Sequence, residues 1–267
     1  MRVASALLVL LPVCIVLGKS HEILSNWRPI FLLSLCNMTV PFCLLAYATL
    51  SIGAGFTSII NSTVPFFTAI IAFTFWQQRL SLVAIVGMFI GFSGVVLLMV
   101  VYSGPLSSNA NLLAIAAGIV GSIFYGLAIN LMAQYLPAVS GVAITTGSLI
   151  FSSLTLLPLA LWKMPESMPT GSIWLSVLCL GIICTGFAFV LFYRLISRIG
   201  SNLAVTNTFM IPLFSLFWAN LFLAEEVTFS MLFACMLVLT GVGLTTGSLI
   251  RLVNFCRTKL VRQKFPE

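Results

Sequence analysis

The chain contains the same pattern twice, at a constant spacing. Residues 53–97 align without a gap on residues 200–244. The matched positions lie 147 residues apart and include identical glycines, prolines and phenylalanines: Gly53 with Gly200, Pro65 with Pro212, Phe67 with Phe214 and Gly94 with Gly241. Both copies are apolar, and each carries a proline in the middle of a predicted helix. This pattern is typical of membrane proteins built from two structural repeats, with a binding site where the repeats meet.

The composition places these repeats in a membrane. Hydrophobic residues make up 61% of the chain and charged residues only 6%, which a soluble domain does not tolerate. Apolar runs of about 20 residues are long enough to cross a bilayer, and such a run satisfies its own backbone only as a helix. We predict an all-α polytopic membrane protein with nine spans, at about 2–18, 29–50, 54–76, 81–102, 110–133, 138–161, 172–193, 201–223 and 228–249.

The spacing of the repeats also divides the chain. Residues 1–102 form the first predicted repeat, residues 110–249 the second, and residues 250–267 a basic tail. The second repeat has five spans and the first has four, because the counterpart of the span at 110–133 would precede Met1. We therefore expect two inverted five-helix repeats from which the first helix of repeat one is missing. A signal peptide over residues 1–20 is the alternative interpretation of the first span.

The distribution of basic residues predicts the orientation. If the basic tail is cytoplasmic, all of the 12 lysines and arginines except Arg2 and Lys163 fall on the cytoplasmic side, as the positive-inside rule requires. The Glu225–Glu226 hairpin then lies outside and its repeat partner Gln78–Arg79 lies inside, so the repeats are inverted. We expect a multi-pass protein of the cell membrane, plasma or inner, with a cytoplasmic C-terminus, as a monomer or homodimer. The net charge of +7 reflects topology and contact with anionic lipids of the bilayer, not nucleic acid.

The two prolines indicate where a binding site lies. A proline within a helix removes the hydrogen bond to the carbonyl four residues earlier, which here belongs to Asn61 and to Thr208. Freed carbonyls at membrane depth need a neighbouring helix or a cavity that holds water and substrate. With the other polar residues near mid-span, the predicted substrate-binding set is Asn37, Asn61, Tyr125, Thr185, Asn207 and Thr208. Hydrogen bonding between helices is the alternative role for each of them.

The residues that enzymes use are scarce in this chain. Aspartate is absent, the single histidine His21 lies in a predicted loop, and no predicted span carries a carboxylate. The seven cysteines form no C-x-x-C pair, and no phosphate-binding G-x-x-x-x-G-K-[ST] motif occurs. We expect no enzyme, no cofactor and no metal site. A proton relay through an acid within the membrane is excluded as well, which leaves facilitated exchange or coupling through loop acids such as Glu225.

Both repeats end in the same series of motifs. Repeat two has Pro212-Leu213-Phe214, an acidic hairpin at residues 224–228 and a glycine-rich exit at residues 241–243. Repeat one has Pro65-Phe66-Phe67, then residues 77–81, then residues 91–94. Together with Thr185-Gly186 and Tyr193-Arg194, these motifs resemble the EamA family of the drug/metabolite transporter superfamily. The resemblance implies ten helices in two inverted repeats, both termini cytoplasmic, and movement of small metabolites. Gln78 departs from the family by replacing the hairpin glutamate of repeat one.

These observations lead to one expected function and one alternative. We expect a multi-pass transporter of small metabolites, amino-acid-like or other small amphipathic solutes. It would act as an exporter by alternating access at a midplane cavity between the repeats. The alternative is a non-transporting membrane-embedded binding or packing protein that has lost the first helix of the fold.

Overall fold

The computed structural model describes residues 1–103, 109–162, 170–199 and 210–248, and all regular secondary structure in these ranges is helical. In chain order the elements are α1 (Arg2–Val16), α2 (Ser20–Ser25), α3 (Trp27–Ser34), π1 (Leu35–Thr39), α4 (Val40–Ile52), α5 (Ala54–Asn61), α6 (Val64–Trp76), α7 (Leu82–Ser103), α8 (Asn109–Tyr135), α9 (Gly141–Trp162), α10 (Gly171–Gly181), π2 (Ile182–Phe187), α11 (Ala188–Ile199), α12 (Met210–Leu223) and α13 (Phe229–Thr245).

The helices have the length and surface of membrane spans. Five described stretches are long and apolar enough to cross a bilayer: Trp27–Ile52, Ala54–Trp76, Leu112–Tyr135, Gly141–Trp162 and Gly171–Phe192. Four shorter apolar helices cover the other predicted spans. Phe75, Phe89 and Phe229 expose 73, 75 and 91% of their surface, which is stable against lipid but not against water. The chain is an all-α polytopic membrane protein, as predicted.

Two details differ from the prediction. The expected loop at residues 19–28 contains the short helix α2 and the start of α3. The span predicted at about 54–76 consists of two helices, α5 and α6. The predicted start of the eighth span, residues 201–209, lies outside the described residues.

Two π-helical segments interrupt long helices at matched positions. Leu35 begins π1 and Ile182 begins π2, so the two starts lie 147 residues apart. In each case the residue after the segment bonds five residues back: Val40 N–H donates to the Leu35 carbonyl, and Ala188 N–H to the Ile183 carbonyl. Such single π turns widen a helix locally and are frequent at functional sites.

Two helix ends show the same matched spacing. Gln77 after α6 and Ala224 after α12 both have φ of 51°, in the left-handed region. The next residue in each case donates its N–H to a carbonyl six residues back, Gln78 to Ala72 and Glu225 to Ala219, each at 3.2 Å. A residue in the left-handed conformation directly after the last helical turn ends a helix abruptly. The two hairpins therefore begin with the same geometry.

The described chain forms two compact units, and each takes helices from both halves of the sequence. Unit 1 comprises Met1–Phe42 and Ala128–Val205. In it, α1 packs against α9, α10 and π2, while α3 packs against α9. The buried side chains of Leu10, Met38 and Leu149 lie in the core between these helices.

Unit 2 comprises Cys43–Leu127 and Thr206–Glu267. Its largest contact joins α7 to α13, whose backbones touch. A Cβ added at Gly87 would lie 2.7 Å from the Gly241 carbonyl oxygen, and one at Gly94 would lie 2.8 Å from that of Ala234. Gly87 and Gly94 thus allow α7 to pack closely against α13 inside the unit.

Candidate functional site

The helix that carries Asn61 breaks in the middle. Helix α5 ends at Asn61, Ser62 and Thr63 form a turn, and α6 begins at Val64 with Pro65 in its first turn. We expected Pro65 to lie inside one continuous helix, and that expectation is wrong. A proline in the first turn of a helix costs nothing, because the N–H it lacks would have no partner within the helix.

The two carbonyl groups at the break differ in the hydrogen bonds that they accept. The Ile60 carbonyl accepts from the Thr63 N–H at 3.0 Å and from the Thr63 hydroxyl at 2.6 Å. It also accepts from the Ser122 hydroxyl of α8 at 3.3 Å. Pro65 cannot donate to the Asn61 carbonyl, as predicted. The Ile60 carbonyl therefore accepts three hydrogen bonds, whereas the Asn61 carbonyl lacks the helical donor that residue 65 would otherwise supply.

The side chain of Asn61 makes the break a candidate binding site. Its Oδ1 atom is buried and has no hydrogen-bond partner among the described residues. Leaving such an acceptor unpaired costs about 1–3 kcal/mol. The residue lies about 10 Å along the span from its start at Ala54, which is inside the hydrocarbon layer. A hydrogen-bond donor of water or solute would relieve this cost.

Helix α8 lies directly against the break within unit 2. A Cβ at Gly118 would touch the Ile60 side chain at 3.3 Å, and one at Gly126 would lie 2.8 Å from the Thr68 nitrogen. Tyr125 is half-buried on the same stretch of α8 and has an interaction partner. The structure thus places two predicted site residues, Asn61 and Tyr125, on helices in contact.

The predicted residues Asn37 and Thr185 lie in the two π segments of unit 1. Asn37 is half-buried in π1. Thr185 in π2 is 3% exposed, and its hydroxyl donates to the Leu180 carbonyl five residues back at 3.0 Å. The threonine hydroxyl thus satisfies a carbonyl that the π turn has displaced. The remaining predicted residues, Asn207 and Thr208, lie outside the described residues.

Arg2, the first residue of the first predicted span, contacts the middle of another membrane-spanning stretch. It belongs to α1, and its Nε donates to the Thr185 hydroxyl at 3.2 Å. Its guanidinium carbon lies 4.8 Å from the centre of the Phe42 ring. A cation at this distance over an aromatic face is attracted by the ring.

Glu225 binds the start of α5 in unit 2. Its two carboxylate oxygens accept from the Ala54 N–H at 2.8 Å and the Gly55 N–H at 3.1 Å. These N–H groups have no partner within the helix, and the positive end of the helix dipole favours a carboxylate there. The Asn220 side chain donates to the Glu225 backbone carbonyl at 3.0 Å and holds the hairpin. The sequence identified Glu225 only as a loop acid.

Glu22 makes a similar contact in unit 1. One carboxylate oxygen accepts from Lys19 Nζ at 2.7 Å, and the other from the Ser140 N–H at 2.8 Å. The hydrogen bond from Lys19 is the larger cause and that from Ser140 the next, and together they lower the pKa of Glu22 to about 2. Ser140 precedes α9, so Glu22 ties the segment after α1 to the start of α9.

Residues for metal or disulfide chemistry are not grouped in the described part of the chain. No cluster of three or more His, Cys, Asp or Glu side chains occurs there. The six described cysteines are free. The polar groups described above at membrane depth are amides, hydroxyls and the guanidinium of Arg2, all of which can hydrogen-bond a solute.

Comparison with known proteins identifies the family to which this chain belongs. The model of the EamA-like transporter family matches residues 1–100 and 112–247, and the chain belongs to this family. An uncharacterized transporter of Archaeoglobus fulgidus is 28% identical over 240 residues, which cover 87% of this chain and 82% of the relative. The uncharacterized transporter YetK of Bacillus subtilis is 27% identical over 256 residues, which cover 91% and 75%.

A solved structure shares the fold. It is titled "Crystal structure of protein", aligns with a TM-score of 0.64 at 17% identity, and covers 92% of this chain and 85% of its own. Family and relatives together make this chain a multi-pass membrane transporter of small molecules, and not an enzyme.

Proposed function

We propose that the chain exports small amphipathic metabolites, among them amino-acid-like solutes, by alternating access. The proposed substrate-binding residues are Asn37, Asn61, Tyr125, Thr185, Asn207 and Thr208. The observation that carries the proposal is the buried and unpartnered Oδ1 of Asn61 at a break in a membrane-spanning helix. Broken helices with free polar groups are where transporters bind their solutes.

The proposed architecture is two inverted repeats over residues 1–102 and 110–249. It is supported by the features that recur 147 residues apart: the π segments that begin at Leu35 and Ile182, and the helix caps at Gln77 and Ala224. Matched irregularities of this kind are more specific than matched apolar residues, because each requires its own backbone geometry. In the proposed orientation the C-terminus is cytoplasmic, and the Glu225–Glu226 hairpin lies outside.

Flux measurements on reconstituted protein test the site. Vesicles that contain the protein would be loaded with a panel of labelled amino acids and short-chain acids, and efflux would be normalised to the amount of protein. Asn61→Leu keeps the branched shape of the side chain and removes the amide, so we expect a loss of about fivefold or more in flux per molecule. Ser62→Ala is the matched control, because the Ser62 hydroxyl donates to the Ser58 carbonyl of α5, at 2.8 Å, and to no other described residue.

The outcomes separate the alternatives. Lower flux for Asn61→Leu, with normal flux for Ser62→Ala, supports a binding role for the amide. Equal flux per molecule in both variants would show that Asn61 only joins helices. If the wild-type protein moves no solute of the panel in either direction, the non-transporting alternative is favoured.

A further inference from the structure

Arg2 is a cation at membrane depth. It contacts Thr185, which lies in the apolar stretch Gly171–Phe192, about 20 Å from its start and about 10 Å from its end. The backbone of Arg2 lies at the same depth, because its carbonyl oxygen would be 2.6 Å from a Cβ added at Gly181. The absence of a side chain at Gly181 admits the first turn of α1. The guanidinium therefore cannot reach either end of the helix that it touches.

No described carboxylate neutralises this charge. The ion pair found among the described residues joins Lys19 to Glu22. The other described charges of unit 1 belong to segments near helix ends, as in Lys19, Glu22 and Arg28. Arg2 is nevertheless exposed. A charged side chain that faces lipid at this depth costs about 2.5–3.5 kcal/mol on insertion scales, so such residues face water-filled paths and ligands.

The contacts of Arg2 hold its guanidinium but leave part of it available. Thr185 takes up Nε, and the ring of Phe42 lies against the guanidinium. The two terminal nitrogens have no hydrogen-bond partner among the described residues. A guanidinium that is fixed in this way presents a planar fork, which matches the two oxygens of a carboxylate.

We propose that Arg2, positioned by Thr185 and Phe42, binds the carboxylate of the transported solute. The substrate class is then a small monocarboxylate with an apolar body. A single guanidinium balances one negative charge, which favours a carboxylate over a doubly charged phosphate, and the aromatic ring beside it suits the apolar part. This inference rests on the proposed function, and it adds a charged group to a predicted site that consisted only of amides and hydroxyls.

A binding assay on purified protein tests the inference without requiring flux. The probes are straight-chain and 2-substituted monocarboxylates of two to eight carbons, each compared with its primary amide, which has nearly the same shape and no charge. Binding is followed by thermal stabilisation of the detergent-solubilised protein. We expect the acids to bind with about tenfold or greater preference over their amides, and Arg2→Gln to abolish that preference.

Three further variants sharpen the assay. Arg2→Lys keeps the charge but loses the fork, so acid binding should be intermediate. Thr185→Val should weaken acid binding more than amide binding, because Thr185 orients Arg2 through the hydrogen bond to its Nε. Arg28→Gln is the matched control and should behave as the wild type, since Arg28 lies over its neighbour Trp27, at 5.4 Å, near a helix start.

The results distinguish failure of the inference from failure of the proposed function. If no acid binds better than its amide, or if Arg2→Gln retains the preference, Arg2 does not bind a carboxylate. Asn61-dependent flux of uncharged solutes would then leave the proposed transport function intact. Acid binding that depends on Arg2 without flux of any solute would support the inference and contradict transport.

Discussion

The contact between Glu225 and the start of α5 should be a large local contribution to the stability of unit 2. Glu225→Ala removes both acceptors and leaves the Ala54 and Gly55 N–H groups without their protein partner. Hydrogen bonds to charged groups contribute about 1.5–3 kcal/mol, and the helix dipole adds about 0.3–1 kcal/mol. Because Glu225 is only half-buried, water replaces part of this, and we expect a loss of about 2 kcal/mol.

This loss can be measured by thermal unfolding in detergent. A change of about 2 kcal/mol should lower Tm by about 4–8 °C in a chain of this size. A thiol-reactive dye reports unfolding of unit 2, because Cys235 of α13 is free and 1% exposed in the folded protein. Unfolding of such proteins is commonly irreversible, so all variants must be heated at the same rate.

Two comparisons make the experiment specific. Glu226→Ala changes the neighbouring exposed acid and should alter the free energy of unfolding by less than about 0.5 kcal/mol. Gly53 has φ of 81°, and a Cβ there would lie 2.9 Å from the Glu225 Oε1 atom. Gly53→Ala should therefore cost more in the wild type than in the Glu225→Ala background, by about 0.5 kcal/mol or more. Equal Tm for the two acid variants, with additive effects of Gly53→Ala, would refute the assigned contact.

Two further predictions concern the ends of the helices. The pKa of Glu22 is lowered from its ordinary value of 4.5 to about 2, so its ionised form stabilises the fold; the Tm difference between wild type and Glu22→Gln should be constant above pH 4.5 and disappear as pH falls toward 2. Thermal scans at a series of pH values measure this, and a difference that grows on acidification would contradict it. The proposed orientation predicts that an impermeant maleimide labels a cysteine placed at Glu226 from outside the cell and not one placed at Arg198, in a background without native cysteines. The reverse labelling would exclude the proposed orientation.

The class of the fold could be predicted because it depends on few variables. Apolar runs of about 20 residues with charges between them allow one kind of structure in a bilayer, and the described helices follow them closely. The break after Asn61 was harder to predict, since Pro65 is compatible with either a kinked helix or two helices. The outcome depends on two hydroxyl groups. Those of Thr63, within the turn, and Ser122, from α8, donate to the Ile60 carbonyl and thereby stabilise the break between α5 and α6.

The depth of Arg2 in the membrane could have been predicted from the spacing of the repeats, but that spacing was not applied at Arg2. The spacing of 147 residues that pairs Leu7 with Leu154 also pairs Arg2 with Leu149, which is fully buried in the middle of α9. The partners of Glu225 and Glu22 could not be predicted, because each acid contacts a helix start far away in the sequence. The roles of Asn207 and Thr208 stay predictions.

The close contact of α7 with α13 determines where unit 2 can change shape. No side chain separates the two backbones at Gly87 and Gly241, so turning either helix about its axis would drive a Cβ-bearing residue into the other backbone. Helices α7 and α13 should therefore move together as one rigid body. Within the span Ala54–Trp76, we expect bending at the two-residue turn Ser62–Thr63, where α5 and α6 meet without a continuous ladder of helical hydrogen bonds. The residue that borders this turn is Asn61, so the proposed solute-binding amide lies beside the position where the span can bend.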